Sequence, residues 1–356
     1  MIRLALSVLA AFLALGCSCG AIRLEPMTSS ADALWGGVDG FCARDDRGLT
    51  CWRSPDGVPR RVEGLEGDVE RVAFTINQAC ALDGAGVACW PSLEPVALRM
   101  RALGDVRELV SLSGWRGRFC ALRADGSVVC WRRPDETPEA IATEAVHLHV
   151  TTGGDMICVE SAEGRLRCHE FHDALAPVRT LETRIAPPLR RVVASTIAGE
   201  LWVLDAEGLK HGRGQSSVVG GNPFAGDVLD GTLREIPFQR VAVTRVAEAR
   251  DVDELLGGSI WIYVDDAAGV RMVEDHLGRF EVRRTYDFGA PPDALLATDR
   301  GLVFARAGGR LEVRGVADGD QVRAHAEVRD PAQVVIALDR FCVRHAEGVS
   351  CGAVPE

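Results

Sequence analysis

Short apolar stretches with period-two alternation run along nearly the whole chain, broken every few residues by Gly, Asp-Gly or Glu-Gly. Such alternation reads as half-buried β-strands, and a polar, glycine-bearing tip between two of them reads as a hairpin. Five hairpins carry a cysteine on each arm: Phe41-CARDDRGLTCW, Ala79-CALDGAGVACW, Phe119-CALRADGSVVCW, Ile157-CVESAEGRLRCH and Phe341-CVRHAEGVSCG. In each, an apolar residue precedes the first cysteine, and a glycine stands six positions after it: Gly48, Gly86, Gly126, Gly164 and Gly348. The glycine suits a tip that needs a positive φ, which a Cβ resists. Three further hairpins keep the frame without cysteines. Leu201-WVLDAEGLKHG has Gly208 in the glycine place, and Leu302-VFARAGGRLEV has Gly309. Ile260-WIYVDDAAGVRM is looser, with Ala267 in that place and Gly269 two further on.

The eight units begin near residues 42, 80, 120, 158, 202, 261, 303 and 342. A period of about 40 residues marks a propeller or a solenoid, because each unit must bury its apolar face against the next. Another short apolar strand precedes several hairpins, at 69–74, 107–112 and 190–194. Helix-period patterning is nearly absent after the first twenty residues. The widest break in the period is 212–240, rich in Gly with scattered apolar residues including Phe224. Long loops on a rigid scaffold are where binding tends to reside, so 212–240 is a candidate binding insertion.

The paired cysteines lie 9, 9, 10, 10 and 9 residues apart: Cys42/Cys51, Cys80/Cys89, Cys120/Cys130, Cys158/Cys168 and Cys342/Cys351. Zinc sites space their cysteines more closely and need four ligands, so five disulfides within hairpins are the expectation, and with them an oxidising compartment. The N-terminus agrees. Arg3 is followed by an apolar run from Leu4 to Leu15 and then Gly16-Cys17. The run is too short to span a bilayer and fits a secretory signal. Residues 13–17 resemble a bacterial lipobox, with Ala14 where Leu is usual, and Cys19 is an alternative to Cys17. The expected organisation is a lipoprotein signal over 1–16, lipidation at Cys17, an anchor and linker over 17–34, and a single propeller domain over 35–356. The corresponding location is the bacterial envelope, as an outer-membrane lipoprotein on its periplasmic or surface face, held to the membrane by its N-terminal lipid.

Hydrophobic residues make up 47% of the 356-residue chain and charged residues 26%, which excludes a disordered or coiled-coil chain. The net charge of -11 argues against a nucleic-acid partner, since phosphate neutralisation needs a basic footprint.

No catalytic constellation emerges: there is no nucleophile elbow, P-loop, His-Glu-x-x-His or calcium loop. No cofactor and no resident metal are expected. Two weak signals stand beside the plain reading as sheet and loop. His147 and His149 alternate and would share one strand face, with His169 and His172 one unit later, so four imidazoles could approach a metal. Asp251, Asp253 and Glu254 could serve as acid and base of a glycosidase. Trp52, Trp90 and Trp131 each follow a second cysteine, and that repetition assigns them to packing between units. Trp115 falls outside the repeat frame and is flanked by Arg116 and Arg118, the residue types that anchor interfaces.

The pattern apolar-Cys-Ala-Leu-x-x-Asp-Gly-x-Val-x-Cys-Trp, clearest at 119–131 and then at 79–90 and 41–52, resembles the regulator of chromosome condensation repeat in a disulfide-bearing exported form. The Gly-Gln-Leu-Gly segment common in that family is missing from every unit, and the repeat is shorter. The resemblance implies an all-β propeller of seven or eight blades, in which one end unit could complete a blade begun by the other. It also implies a recognition platform for a protein or glycan rather than an enzyme. The alternative is an envelope carbohydrate hydrolase or lyase on the same scaffold.

Overall fold

A computed structural model of the chain describes residues 20–21, 25–37, 40–53, 57–91, 95–112, 117–151, 156–171, 179–195, 200–213, 238–240, 244–245, 254–257, 262–266, 269–276, 279–286, 288, 294–297, 302–307, 310–315, 322–328, 331–337 and 340–353. Their strands form eight sheets, each built on one of the eight hairpins. A short strand before the hairpin and another after it complete an antiparallel four-stranded meander.

Blade 1 runs through Ala33–Gly36, Gly40–Asp45, Gly48–Arg53 and Arg60–Arg61, and blade 2 through Arg71–Phe74, Gln78–Asp83, Gly86–Pro91 and Leu98–Arg99. Blade 3 comprises Val106–Leu112, Arg118–Arg123, Val128–Trp131 and Glu139–Ala142. Blade 4 comprises Ala145–Val150, Met156–Ser161, Arg165–Glu170 and Arg179–Arg184. Blade 5 uses Arg191–Ser195, Glu200–Asp205, Gly208–Arg213 and Thr244–Arg245, and blade 6 uses Glu254–Gly257, Ile262–Asp266, Gly269–His276 and Arg279–Tyr286. Blade 7 contains Ala294–Ala297, Leu302–Ala307, Arg310–Gly315 and Val322–Glu327. Blade 8 takes Gln333–Ala337, Arg340–His345 and Gly348–Ala353 from the C-terminus, and its fourth strand, Glu25–Thr28, from the N-terminus.

First strands of successive blades lie side by side from blade 1 to blade 7, Leu296 of blade 7 packs in one core with Val334 and Ile336 of blade 8, and the first strand of blade 8 meets that of blade 1. The ring is therefore closed, an eight-bladed β-propeller. The count settles the choice between seven and eight, and the closing strand shows that one end also completes a blade begun by the other. Closure removes the exposed sheet edges that an open array would leave. The inner edges of first strands still need partners, and neighbouring blades supply them. Gln333 donates to Leu34 O (2.7 Å) and accepts from Leu34 N (3.2 Å). Ser111 Oγ accepts from Phe74 N at 3.1 Å, and Glu108 accepts from Leu148 N at 2.8 Å.

All five expected disulfides are present, each joining residues directly opposite across its own hairpin. Neighbours on a strand face opposite ways, so a Cys-Trp dipeptide serves two interfaces at once. Cys42 shares a buried cluster with Trp90 of the next blade, Cys80 and Cys89 with Trp131, and Cys342 and Cys351 with Trp52 across the ring closure. The three tryptophans thus pack between blades, as expected, at 5%, 2% and 0% exposure. In blade 5 the register position of the cysteine pair is filled by Trp202 opposite His211, their rings 4.1 Å apart.

The repeat glycines Gly48, Gly86, Gly126, Gly164, Gly208 and Gly348 all have φ between +72° and +124°. Blades 6 and 7 depart from the frame read in the sequence. Gly269, not Ala267, stands opposite Asp266 as Gly48 stands opposite Asp45. In blade 7 it is Arg310, opposite Ala307, that occupies this place, one residue past Gly309. Without a cysteine pair the register follows the apolar residues and the turn, and a Gly-Gly tip accommodates a shift of one.

The links between blades are tied down by carboxylates at the ends of second strands. Asp83 accepts from Glu66 N at 2.8 Å in the incoming link, from Ala85 N at 3.0 Å in its own tip, and from Arg99 through two bonds. Asp205 repeats this with Ala186 N, Glu207 N and Lys210 Nζ. Both carboxylates are buried, and each is paired, which is the condition under which a buried charge is tolerated.

Candidate interaction face

The meander sorts the connections onto two faces of the ring. Tips between second and third strands, together with the links between blades, lie on one, here the tip face. Connections from first to second strand and from third to fourth lie on the other, the connection face. On the tip face, blades 1, 2, 4 and 5 are ion-paired: Arg44 with Asp32 (2.8 Å), Arg99 with Asp83 (2.6 Å), Lys210 with Asp205 (2.8 Å) and Glu207 (2.7 Å), and Arg165 with Glu163 (3.0 Å).

Two breaks in the repeat are rooted on the connection face of blades 3, 4 and 5. Residues 113–116, with Trp115 and Arg116, lie outside the described residues, but the strands that flank them end at Leu112 and begin at Arg118, on that face. Residues 214–237, with Phe224, are likewise outside the described residues. They follow Arg213, at the connection-face end of blade 5, and precede Phe238–Arg240, a parallel fifth strand on the outer edge of blade 4. The end of the insertion thus steps back one blade before Thr244–Arg245 completes blade 5. Cys17 and His172 also lie outside the described residues.

Arg118 is 1% exposed, so it lies beneath this face. Its guanidinium carbon sits 4.2 Å from the centre of the Phe171 ring, a cation–π contact that fastens blade 3 to blade 4. Burial, then the neighbouring Arg132, lowers its pKa to about 10, so it keeps its charge at neutral pH. Above it runs the charged connection 132–138, in which Arg133 and Asp135 are exposed. There Glu136 accepts from Arg132 N at 3.1 Å and pairs with Arg133 at 3.3 Å, and Asp135 lies 3.8 Å from Arg133.

Two of the histidines are carboxylate partners. His147 and His149 do share a face, ring centres 6.3 Å apart. His147 Nδ1 lies 2.8 Å from Glu108, and His149 Nε2 lies 3.0 Å from the buried Glu160. Burial pushes the His149 pKa down against the raising effect of Glu160. His169, at the register position of the tryptophans, bonds through Nδ1 to Thr180 Oγ1 (3.0 Å), away from the other two. Among the described residues no group of three or more His, Cys, Asp or Glu is arranged to hold a metal ion. Of the three carboxylates that could serve as acid and base, Asp251 and Asp253 lie outside the described residues, and Glu254 begins the first strand of blade 6.

His169 carries a pH prediction. Burial, with Arg167 second, lowers its pKa to about 4. The unfolded chain takes up this proton first, near the ordinary 6.5. Its contribution is therefore intact above pH 6.5 and lost as pH falls from 6.5 to 4, on the order of 3 kcal/mol in all. Urea midpoints measured at pH 7 and pH 4 are expected to differ less for His169→Gln than for the unaltered protein, and equal differences would contradict this assignment.

No protein-family model matches the chain, and no curated protein matches it in sequence. Among solved structures it is similar to BamB from Moraxella catarrhalis, with TM-score 0.56 and 12% identity over 93% of this chain and 96% of that one. It is also similar to a eukaryotic initiation factor, with TM-score 0.55 and 9% identity over 94% of this chain and 88% of that one. The Cps50 (Swd1) β-propeller domain of Myceliophteria thermophila aligns at TM-score 0.45 and 13% identity over 83% and 99% of the two chains. At these identities the likeness is one of fold. The fold defines the class: a disulfide-stapled, eight-bladed β-propeller.

Proposed function

We propose that the protein is an envelope lipoprotein, a disulfide-bearing relative of the regulator of chromosome condensation repeat proteins, that binds a protein or glycan through the connection face of blades 3 to 5. One observation carries the reading. Two segments that break the repeat, 113–116 and 214–237, are both rooted on that face in neighbouring blades, while the tips of blades 1, 2, 4 and 5 carry ion pairs. A repeat scaffold positions such loops rigidly, which limits the ordering cost of binding. Trp115, Arg116 and Phe224 supply residue types that anchor interfaces, and Arg118 braces the blades beneath them. Anchoring follows from the signal-like residues 1–16 and Cys17.

The test uses the protein without its anchor, from Gly20 onward, immobilised and exposed to envelope extract. A protein or glycan retained by this bait is expected to be lost when 214–237 is replaced by a short Gly-Ser connection, with the melting temperature unchanged. Retention by both baits would remove the insertion from the site. Turnover of an envelope glycan, abolished by a single carboxylate substitution, would favour the hydrolase or lyase alternative.

A further inference from the structure

Resting on lipidation at Cys17, we infer that the propeller stands edge-on to the membrane, with the rim of blades 7 and 8 against the lipid surface and the connection face of blade 3 held at the far side of the ring. The inference starts from a two-residue strand. Gly20–Ala21 pairs in parallel with the outermost strand of blade 7, Gly20 opposite Ala324 and Ala21 opposite His325. Four residues later Glu25–Thr28 pairs antiparallel with Gly348–Ala353 of blade 8. The chain leaving the anchor is therefore bound to the ring at two adjacent blades, with Glu25 also 3.8 Å from Arg340 of blade 8.

Covalent reach sets the consequence. Only Ser18 and Cys19 separate Cys17 from Gly20, so the lipid-bearing Cα lies within about 11 Å of the Gly20 Cα, at 3.3–3.6 Å per residue. A flexible linker of tens of residues would let the ring tumble freely beneath its anchor, whereas three residues do not. The direction follows from the pairing. Val322–Glu327 runs from the connection face toward the tip face, and the parallel Gly20–Ala21 runs the same way along the outer edge of blade 7, so Gly20 is the first described residue on that rim. In a ring of eight, the blade opposite blade 7 is blade 3. The loops assigned to binding are thereby carried to the greatest distance from the lipid that the ring allows, which suits a partner lying beyond the membrane surface rather than a lipid.

The test uses full-length lipidated protein in vesicles of phosphatidylethanolamine and phosphatidylglycerol with a headgroup-attached quencher. A fluorophore is placed through Glu25→Cys or through Asp135→Cys in a Cys19→Ser background. Both side chains are exposed, at 64% and 79%, on the rim near the anchor and on blade 3 respectively. Quenching at position 25 is expected to exceed that at 135 at least fivefold. Twelve Gly-Ser residues inserted after Ser18 are expected to reduce quenching at 25 to near that at 135. Equal quenching at both positions without the insertion, while the protein remains vesicle-bound, would overturn the edge-on arrangement and leave the anchor intact. If Cys17→Ser protein stays with the vesicles, the anchor assignment fails and the orientation with it.

Discussion

A soluble chain that begins at Asp32 is expected to melt on the order of 10 °C below one that begins at Gly20. The difference is the closing strand. Glu25–Thr28 pairs with the last strand of blade 8, and Met27 packs against the core that joins blade 8 to blade 1, with Phe41, Val349 and Cys351. Losing a few ladder hydrogen bonds, each about 1 kcal/mol net, and the burial of one methionine amounts to roughly 3–5 kcal/mol. A large domain loses a few degrees per kcal/mol. One residue isolates the effect. Gly348 has φ +124°, and a Cβ there would overlap the Thr28 carbonyl of the closing strand. Gly86 has the similar φ of +109°, with its nearest neighbour, the Gly104 carbonyl, at 3.9 Å. Both alanine variants strain the backbone, but only Gly348→Ala displaces the strand. Calorimetry is expected to place Gly348→Ala near the truncated chain and Gly86→Ala several degrees above it, whereas equal melting of the two variants would mean that the closing strand contributes little.

Reduction of all five disulfides is expected to unfold the ring at temperatures where the oxidised protein is fully native. Each bridge closes a loop of about ten residues and restricts the unfolded chain by about 2.5–3 kcal/mol. Five therefore contribute on the order of 13 kcal/mol, as large as the entire stability of a typical domain, about 5–15 kcal/mol. The bridges also occupy blade interfaces, so their loss loosens the packing of Trp90, Trp131 and Trp52. Accessibility orders the reaction. Cys51 is half-buried, whereas Cys80, Cys89, Cys120, Cys130, Cys158 and Cys168 are fully enclosed. Alkylation and peptide mass mapping during timed reduction are expected to find Cys42–Cys51 opened first. Simultaneous opening of all five would indicate global unfolding before any local access.

The features legible in the sequence are those whose cause is local. The cysteine pairs, their glycines and the apolar strands beside them fixed every disulfide and six of the eight hairpin registers, because a tight turn and a cross-strand bridge leave one alignment. Partners distant in sequence were not legible. Glu25–Thr28 carries no hairpin signal, since the strand it joins lies more than 320 residues away. Phe238–Arg240 joins blade 4 across an insertion whose composition says nothing of pairing. The carboxylate anchors at Asp83 and Asp205 looked like ordinary tip residues, although their shared place, three positions after Cys80 and Trp202 of the repeat frame, was a usable signal. For the site, the off-frame Trp115 and the 212–240 insertion were visible as breaks in the period. That both are rooted on one face in adjacent blades required the strand order.

The most direct test of the account places a photo-cross-linking side chain at Trp115 and, separately, at Glu347, an exposed tip residue of blade 8 on the opposite face. Each full-length variant would be irradiated in its own cells. A discrete adduct from position 115 with none from 347 is the predicted result. An adduct from 347 alone would place recognition on the tip face and contradict the assignment of the connection face of blades 3 to 5.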